Sequence, residues 1–275
     1  DSRHGSLPGK PTFSKEAKAE LVSILRGLWM GLSDASSWPR SLIIVYGSQS
    51  IRRSVFKSIA LNGGLFIGSV LFYNRYLAPD PTVAPDAAAG SEYMAYFLQT
   101  VRWMFAFLWL YPLYCACFFL SEIWYQQIAL RLHQLRASIN RTGDSTAAPA
   151  ATATKPASYY NLLRNMAGNI YRALTFLTYL IATHLAGRIP FVGSALSILF
   201  VAWIYAYYAF EYRWINLGWP IDKRMRFLEQ RWAYFMGFGL PMATISSLLF
   251  TGMISMGVCA TVFPMYVIMA ELAKP

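Results

Sequence analysis

The chain alternates between long apolar runs and short segments that are rich in charge. A helix needs about 20 apolar residues to cross the hydrocarbon core of a bilayer, and several runs reach or approach that length. The predicted spans and hairpins occupy residues 55–77, 101–129, 171–186, 191–210 and 233–272. The pattern therefore predicts an all-α integral membrane protein with about six transmembrane or partly penetrating helices, plus an N-terminal interfacial amphipathic helix.

The run 101–129 is too long for a single perpendicular crossing. It contains Pro112, and basic residues follow its end, so we expect it to tilt, to kink at Pro112 or to continue beyond the membrane. The runs 171–186 and 191–210 meet at a Gly-Arg-Ile-Pro turn, and the run 233–272 is interrupted by glycine and proline. The first pattern predicts either a hairpin of two spans or a pair of partly penetrating helices that meet at this turn. The second fits a hairpin that crosses the membrane and returns.

Residues 18–38 place apolar side chains at the spacing of one helical face, but charges interrupt the segment. We interpret it as an amphipathic helix that lies on the membrane, with a helix packed against a protein domain as the alternative. Tryptophan is typical of the headgroup region, and we expect interfacial anchors there. These anchors are Trp29, Trp38, Trp214 and Trp219.

Composition supports the membrane assignment. Charged residues make up 13% of the chain and apolar residues 56%, whereas soluble domains are about 25% charged. The net charge is +11, with Lys and Arg concentrated in residues 40–57, 131–172 and 213–231 and absent from 78–92. The positive-inside rule then predicts that both termini are cytosolic, and a lipid bilayer explains the basic residues better than nucleic acid does.

The same features divide the chain into five predicted regions. A disordered tail (1–17) and the interfacial amphipathic region (18–54) precede the first two transmembrane helices (55–136). A low-complexity Ala/Thr/Pro stretch (137–160) is predicted to be a cytosolic linker. The remainder (161–275) is predicted to be a membrane domain of two helical hairpins, joined by a basic cytosolic segment (211–231).

No catalytic motif is present. The three cysteines lie in apolar runs without the spacing of metal ligands, and their odd number argues against a disulfide framework. The chain has no Gly-rich phosphate loop and no nucleophile or metalloprotease motif. We therefore expect no cofactor, no metal and no enzymatic activity.

An anion path would need positive electrostatics from arginine or from helix N-termini. Arg213, Arg188 and Arg102 flank apolar runs and could supply it, and Glu211 would partly neutralise Arg213. The alternative, which we favour, is that Glu211 and Arg213 form a charge pair that fixes a turn.

Two glycine-rich stretches are also candidates for an anion path. Gly237, Gly239 and Pro241 could break a helix and turn backbone amides towards an ion, although a packing kink is the favoured interpretation. The stretch Asn62-Gly63-Gly64, with Gly68 one helical turn later, either provides a helix contact or exposes backbone to a pore. We favour the helix contact because small residues are common where helices pack in lipid.

Several motifs in order resemble one known family. They are GLWMGLSDASSW, LNGGLF, IWYQQIA, AFEYRWINLGW, LEQRWAYFMGFGLPMA and VFPMYVIMAELAKP. The chain resembles the etoposide-induced protein 2.4 family, which is distantly similar to the CysZ sulfate permeases. The likeness extends over most of residues 21–275 and is strongest at 207–242.

This resemblance implies a membrane protein of the endoplasmic reticulum with a non-catalytic role, either in membrane organisation or as an adaptor. It also implies links to autophagy, apoptosis and growth control, with membrane-protein partners or a homo-oligomer. The alternatives are a sulfate or anion channel or permease of the CysZ type, or an accessory subunit of a larger membrane complex.

Overall fold

The computed structural model describes residues 12–77, 90–143, 177–178, 181–183, 185–190, 192–249 and 252–275, and every regular element in these ranges is helical. Tail residues 1–11, linker residues 144–160 and most of the run 171–186 lie outside the described residues. The α-helices are α1 (Thr12–Ala35), α2 (Trp38–Gly47), α3 (Gln49–Ile59), α4 (Ile67–Phe72), α5 (Gly90–Phe105), α6 (Tyr111–Gly143), α7 (Gly193–Asn216), α8 (Ile221–Gln230), α9 (Trp232–Thr244) and α10 (Gly252–Leu272).

Four helical stretches in the described ranges are long and apolar enough to cross a membrane. They are Gln49–Leu77, Tyr96–Ser138, Gly193–Asn216 and Gly252–Leu272. The prediction of an all-α integral membrane protein is therefore confirmed, while the number of about six crossings stays a prediction. The first of these helices begins at Gln49, before the predicted residue 55, because its basic residues lie on an exposed face of the same helix.

The first and second spans both contain π-helical turns. Ala60–Phe66 joins α3 to α4, Tyr73–Leu77 ends the first span, and Ala106–Leu110 joins α5 to α6. A π turn widens the helix locally and is often found at functional sites. The described part of the first two spans therefore has three irregular turns, and two of them lie where these spans face each other.

The second span exceeds one bilayer thickness. Its apolar stretch of 43 residues would be about 65 Å long at 1.5 Å per residue, roughly twice the hydrocarbon core. Pro112 is the second residue of α6 and directly follows the π turn, so its missing N–H falls where the hydrogen-bond ladder is already irregular. The helix is continuous past Pro112 and extends beyond Arg136 to Gly143.

The Gly-Arg-Ile-Pro segment forms a turn as predicted, while Phe250 and Thr251 of the last predicted hairpin lie outside the described residues. In the Gly-Arg-Ile-Pro turn, the Gly187 and Arg188 amides donate to the Thr183 and Leu185 carbonyls at 3.0 and 3.1 Å. In the last hairpin, α9 is extended by the π turn Ile245–Leu249 before α10 begins. The Ser255 hydroxyl donates to the Ser246 carbonyl at 2.8 Å and ties the two arms together.

The N-terminal helix packs along α9, so it combines the predicted interfacial position with the alternative of a helix packed against protein. Gly27 and Gly31 bring α1 against the backbone of Tyr234, and a Cβ at Gly31 would overlap that backbone. Gly237 of α9 similarly approaches the Leu28 carbonyl. The contact therefore depends on glycines, which allow the two backbones to approach closely. The spacing of apolar side chains along α1 does not indicate such a contact.

The opposite face of α1 remains exposed and apolar. Trp29 is 71% exposed, and Leu21 and Leu25 are more than half exposed. These three residues belong to the apolar face that the sequence predicts to rest on the membrane. A helix with one face on protein and an apolar face outwards suits the boundary between the bundle and lipid.

The main core lies where α7, α9 and α10 meet. Phe210 of α7 contacts Phe235 and Phe238 of α9 edge-to-face, with ring centroids 5.0 and 4.9 Å apart. Phe238 in turn contacts Tyr266 of α10 at 5.3 Å. Edge-to-face aromatic contacts of this kind add about 0.5–1.5 kcal/mol each beyond the burial of apolar area.

Apolar side chains also cover much of the outer surface. On the second span Phe107, Trp103 and Phe119 are each about two-thirds exposed or more. A soluble surface would not carry such a continuous apolar patch, and the protein therefore contacts the lipid bilayer through these helices.

Close glycine contacts at α9 predict a sharp difference between two glycine substitutions. Gly239→Ala would drive a Cβ into the Ala202 carbonyl of α7 and should lower the free energy of unfolding by about 3 kcal/mol. Gly64→Ala, in the first span, meets no atom within 4 Å and should have little effect. Thermal unfolding of both purified variants in mild detergent would measure the difference, and equal melting temperatures would contradict it.

Candidate functional site

Three helices converge at the end of the bundle that holds Arg213, which we call the Arg213 end. The Arg213 guanidinium of α7 donates to the Ala270 carbonyl of α10 and to the Ala273 carbonyl directly after α10, at 3.1 and 2.7 Å. Arg136 of α6 donates to the Glu271 carbonyl. The last carbonyls of a helix lack partners within it and carry partial negative charge, so the two arginines satisfy and neutralise the end of α10.

Glu271 and Asn216 complete this cluster. The Glu271 side chain is buried and interacts with the Asn216 amide as well as with the charge of Arg213. Neither Glu271 Oε1 nor Asn216 Nδ2 forms a hydrogen bond of good geometry with a described residue. The cluster therefore keeps a carboxylate inside the protein by placing two guanidinium groups next to it.

Glu211 pairs with a different arginine from the predicted one. Its carboxylate lies 3.4 Å from Arg224 of α8, and the Arg224 Nε also donates to the Trp219 carbonyl at 2.9 Å. The expected Glu211–Arg213 pair is thus wrong as to the partner. Residues two apart on a helix point in different directions, so Arg213 reaches α10 while Glu211 faces the returning α8.

Trp214 is a core residue and not an interfacial anchor. It is 1% exposed and stacks on Trp219 with ring centroids 6.3 Å apart. Trp219 is half-buried, with the Lys223 ammonium 4.2 Å from its ring centroid. Trp29 and Trp38 are exposed, which suits the anchoring predicted for them. The turn between α7 and α8 buries Trp214, because α8 folds back over it.

Gly237, Gly239 and Pro241 all lie within a continuous α9. The two glycines face opposite neighbours, since Gly237 meets Leu28 of α1 and Gly239 meets Ala202 of α7. No break at these residues turns amides towards an ion, and the segment packs helices together.

The Asn62 stretch contributes a buried polar contact between the first two spans. Asn62 is 2% exposed, and its amide nitrogen donates to the Ser58 carbonyl at 3.0 Å and to the Ser121 hydroxyl at 2.8 Å. A Cβ at Gly63 would lie 3.3 Å from the Thr261 side chain, whereas Gly64 and Gly68 meet nothing within 4 Å. The Gly64/Gly68 pattern therefore makes no helix contact within the described residues, and Gly63 faces α10.

Glu122 is the central residue of a polar cluster for which the sequence gives no role. The Tyr208 and Tyr212 hydroxyls of α7 both donate to Glu122 Oε2 at 2.7 Å, and Gln126 donates to the other oxygen at 3.2 Å. A carboxylate within an apolar run is itself a signal of function. The spacing of the two tyrosines, one helical turn apart, is the matching signal on α7.

Two cavities lie between the first span, the second span and α10, and α7 also lines the inner one. The inner cavity, of about 190 Å³, is lined by polar groups that include Asn62, Ser121 and Tyr208. The outer pocket, of about 790 Å³, is lined by Arg102, Asn74 and Gln99 together with apolar residues. The outer pocket opens at the end of the bundle opposite Arg213, which we call the Arg102 end.

An apolar plug separates the two cavities. It consists of the buried residues Phe66, Val70, Leu110 and Cys117, packed with Leu113. Phe66 lines the inner cavity, and Val70 and Leu110 line the outer pocket, so the plug is about one helical turn thick. The π turns Ala60–Phe66 and Ala106–Leu110 supply residues of the plug from both spans.

The two cavities differ in the chemistry they can support. The outer pocket offers a guanidinium and two side-chain amides, which suit an oxyanion. The inner cavity offers hydroxyl and amide groups, and Glu122 accepts a hydrogen bond from Tyr208 of its lining without lining the cavity itself. The described residues contain no group of three or more His, Cys, Asp or Glu side chains that could hold a metal ion.

This fold and its buried polar clusters define a polytopic α-helical membrane protein. The model of the family described as sulfate transporter CysZ/etoposide-induced protein 2.4 matches residues 37–264. The chain belongs to this family.

Curated relatives agree with this assignment. The chain is 27% identical over 267 residues to protein EI24 homolog from Arabidopsis thaliana, with 90% of this chain and 83% of the relative covered. It is 26% identical over 261 residues to protein EI24 homolog from Dictyostelium discoideum, with 93% and 76% covered. Ectopic P granules protein 4 from Caenorhabditis elegans is 28% identical over 105 residues, which cover 38% of this chain and 33% of the relative.

The hydrogen bonds from Arg213 to the carbonyls at the end of α10 predict that this arginine stabilises the fold. Arg213→Gln should lower the free energy of unfolding by about 2 kcal/mol, because it leaves two carbonyls without their cation and the buried Glu271 with only one of its two guanidinium neighbours. Arg226→Gln, on the exposed side of α8, removes the same charge and should change stability little. Unfolding in detergent would test this, and a smaller loss for Arg213→Gln than for Arg226→Gln would contradict it.

Proposed function

We propose that the protein is a non-catalytic membrane protein of the endoplasmic reticulum that organises the membrane or acts as an adaptor. Membership of the etoposide-induced protein 2.4 family supports a role linked to autophagy, apoptosis and growth control. The observation that carries the adaptor proposal is an exposed basic surface at the Arg213 end. We call it the basic surface, and it consists of Arg40, Arg52, Arg53, Lys57, Lys223, Arg226 and Arg231.

The cations of the basic surface are available to bind an anionic partner outside the chain. None of its members forms an ion pair with a side chain that the structure describes, although Lys223 and Arg231 lie over the aromatic rings of Trp219 and Phe227. Unpaired cations in this position attract anionic lipid headgroups or the acidic segments of partner proteins. With both termini cytosolic, as the distribution of Lys and Arg predicts, this surface faces the cytosol.

Charge reversal on the basic surface should abolish recruitment of partners. We expect Arg52→Glu/Arg53→Glu/Lys57→Glu to lose most of the membrane partners recovered by proximity labelling in cells, since like charges then repel them. Arg75→Glu, at the Arg102 end, is the matched control and should retain them. Equal recovery from the triple variant and the wild type, at equal protein levels, would reject the adaptor role.

A second candidate function is the permeation of an anion such as sulfate. The observation that favours it is the alignment of two cavities between the same three helices, separated by a plug about one helical turn thick. A short apolar constriction can close a pore by excluding water. Arg102 at the outer pocket would attract the anion, whereas Arg213 is engaged with the end of α10 and lies outside this path.

Removal of the plug should reveal such a path. Phe66→Ala is expected to raise sulfate flux through reconstituted vesicles several-fold, because it opens the constriction between the cavities. Phe56→Ala lies on the exposed face of the same span and should leave flux unchanged. Flux no greater than that of protein-free vesicles, for the wild type and Phe66→Ala alike, would remove this candidate.

A further inference from the structure

The outer pocket combines a volume, an apolar floor and a set of polar groups that together suit an amphipathic ligand. Its volume of about 790 Å³ lies within the range of roughly 300–1,000 Å³ that is typical of ligand sites. Its floor is apolar, formed by Val70, Ala106, Leu110 and Ile254, and its polar groups are Asn74, Gln99 and Arg102. It therefore offers one polar region and one apolar region to the same ligand.

Arg102 is the only cation in the lining of this pocket, which contains no carboxylate. The structure shows no ion pair between Arg102 and any side chain that it describes. A guanidinium in partly apolar surroundings is costly unless it meets an anion, and guanidinium groups recognise phosphate through paired hydrogen bonds. The described residues therefore supply a cation in this pocket without an anion to pair with it.

The position of the pocket identifies the source of that anion. It lies at the ends of membrane-spanning helices, with Tyr73 and Asn74 from the last turn of the first span and Gly252 from the start of α10. Trp103, next to Arg102 on the second span, also lines it, and such an aromatic residue is typical of headgroup depth. At this depth phosphate groups belong to lipids, and the apolar floor extends from there towards the plug.

We propose that the outer pocket binds a single phospholipid, whose phosphate pairs with Arg102 and whose acyl chain lies on the apolar floor. The side-chain amides of Asn74 and Gln99 donate to the phosphate or to the glycerol esters. The plug, whose Val70 and Leu110 form part of this floor, keeps the lipid at the Arg102 end. This site is separate from the basic surface at the opposite end of the bundle and does not depend on the adaptor role.

Photo-crosslinking tests the proposal directly. The purified full chain is reconstituted in phosphatidylcholine vesicles with phosphatidylcholine that carries a diazirine in its acyl chain, and labelled peptides are located by mass spectrometry. We expect labels on the segments containing Val70, Leu110 and Ile254. Diacylglycerol with the same diazirine chain lacks the phosphate and should label these segments about tenfold less.

Three variants separate a specific site from ordinary lipid contact. Arg102→Gln should reduce labelling of these segments about tenfold. Arg75→Gln, which removes a cation at the same end of the bundle but outside the pocket, should leave it unchanged. Ala106→Trp fills the pocket while keeping Arg102 and should also reduce labelling, so a folding defect in one variant does not decide the outcome.

A free anion is the competing occupant. Inorganic sulfate should not reduce the labelling more than sodium chloride of matched ionic strength, which controls for screening. Specific displacement by sulfate would assign the pocket to a soluble oxyanion and overturn the lipid proposal. Equal labelling of wild type and Arg102→Gln, or equal labelling by diacylglycerol, would overturn it as well.

Discussion

Backbone contact around α9 is the constraint on which the rest of the bundle depends. Gly237 lets α1 approach from one side, and Gly239 lets α7 approach from the other. In lipid the hydrophobic effect does not drive helices together, so association relies on close packing and polar contacts. The aromatic core of Phe210, Phe235 and Phe238 closes only because the glycines permit these short distances.

Polar contacts supply the remaining specificity. Arg213 and Arg136 join α7 and α6 to the end of α10, and Asn62 joins the first span to Ser121 of the second. Each contact satisfies a group that would otherwise be costly within an apolar interior. Together they fix the rotation of the helices, which apolar packing alone leaves less well determined.

The two ends of the bundle are chemically different. The Arg213 end carries an exposed basic surface around a neutralised cluster that contains Glu271. At the Arg102 end, Arg102 lines a pocket of about 790 Å³ without an ion pair to a described side chain. Such an arrangement allows a membrane protein without recognisable catalytic groups to contact partners on one side and to hold a lipid or an anion on the other.

The sequence by itself determined the helical membrane class, the Gly-Arg-Ile-Pro turn and the family, because run length, turn residues and ordered motifs are local properties. It did not determine which partner each charge meets. Glu211 pairs with Arg224, Trp214 is buried, and the glycine pair that packs is Gly27 and Gly31 instead of Gly64 and Gly68. Those outcomes depend on how helices distant in sequence rotate against one another, and only the tertiary structure decides that rotation.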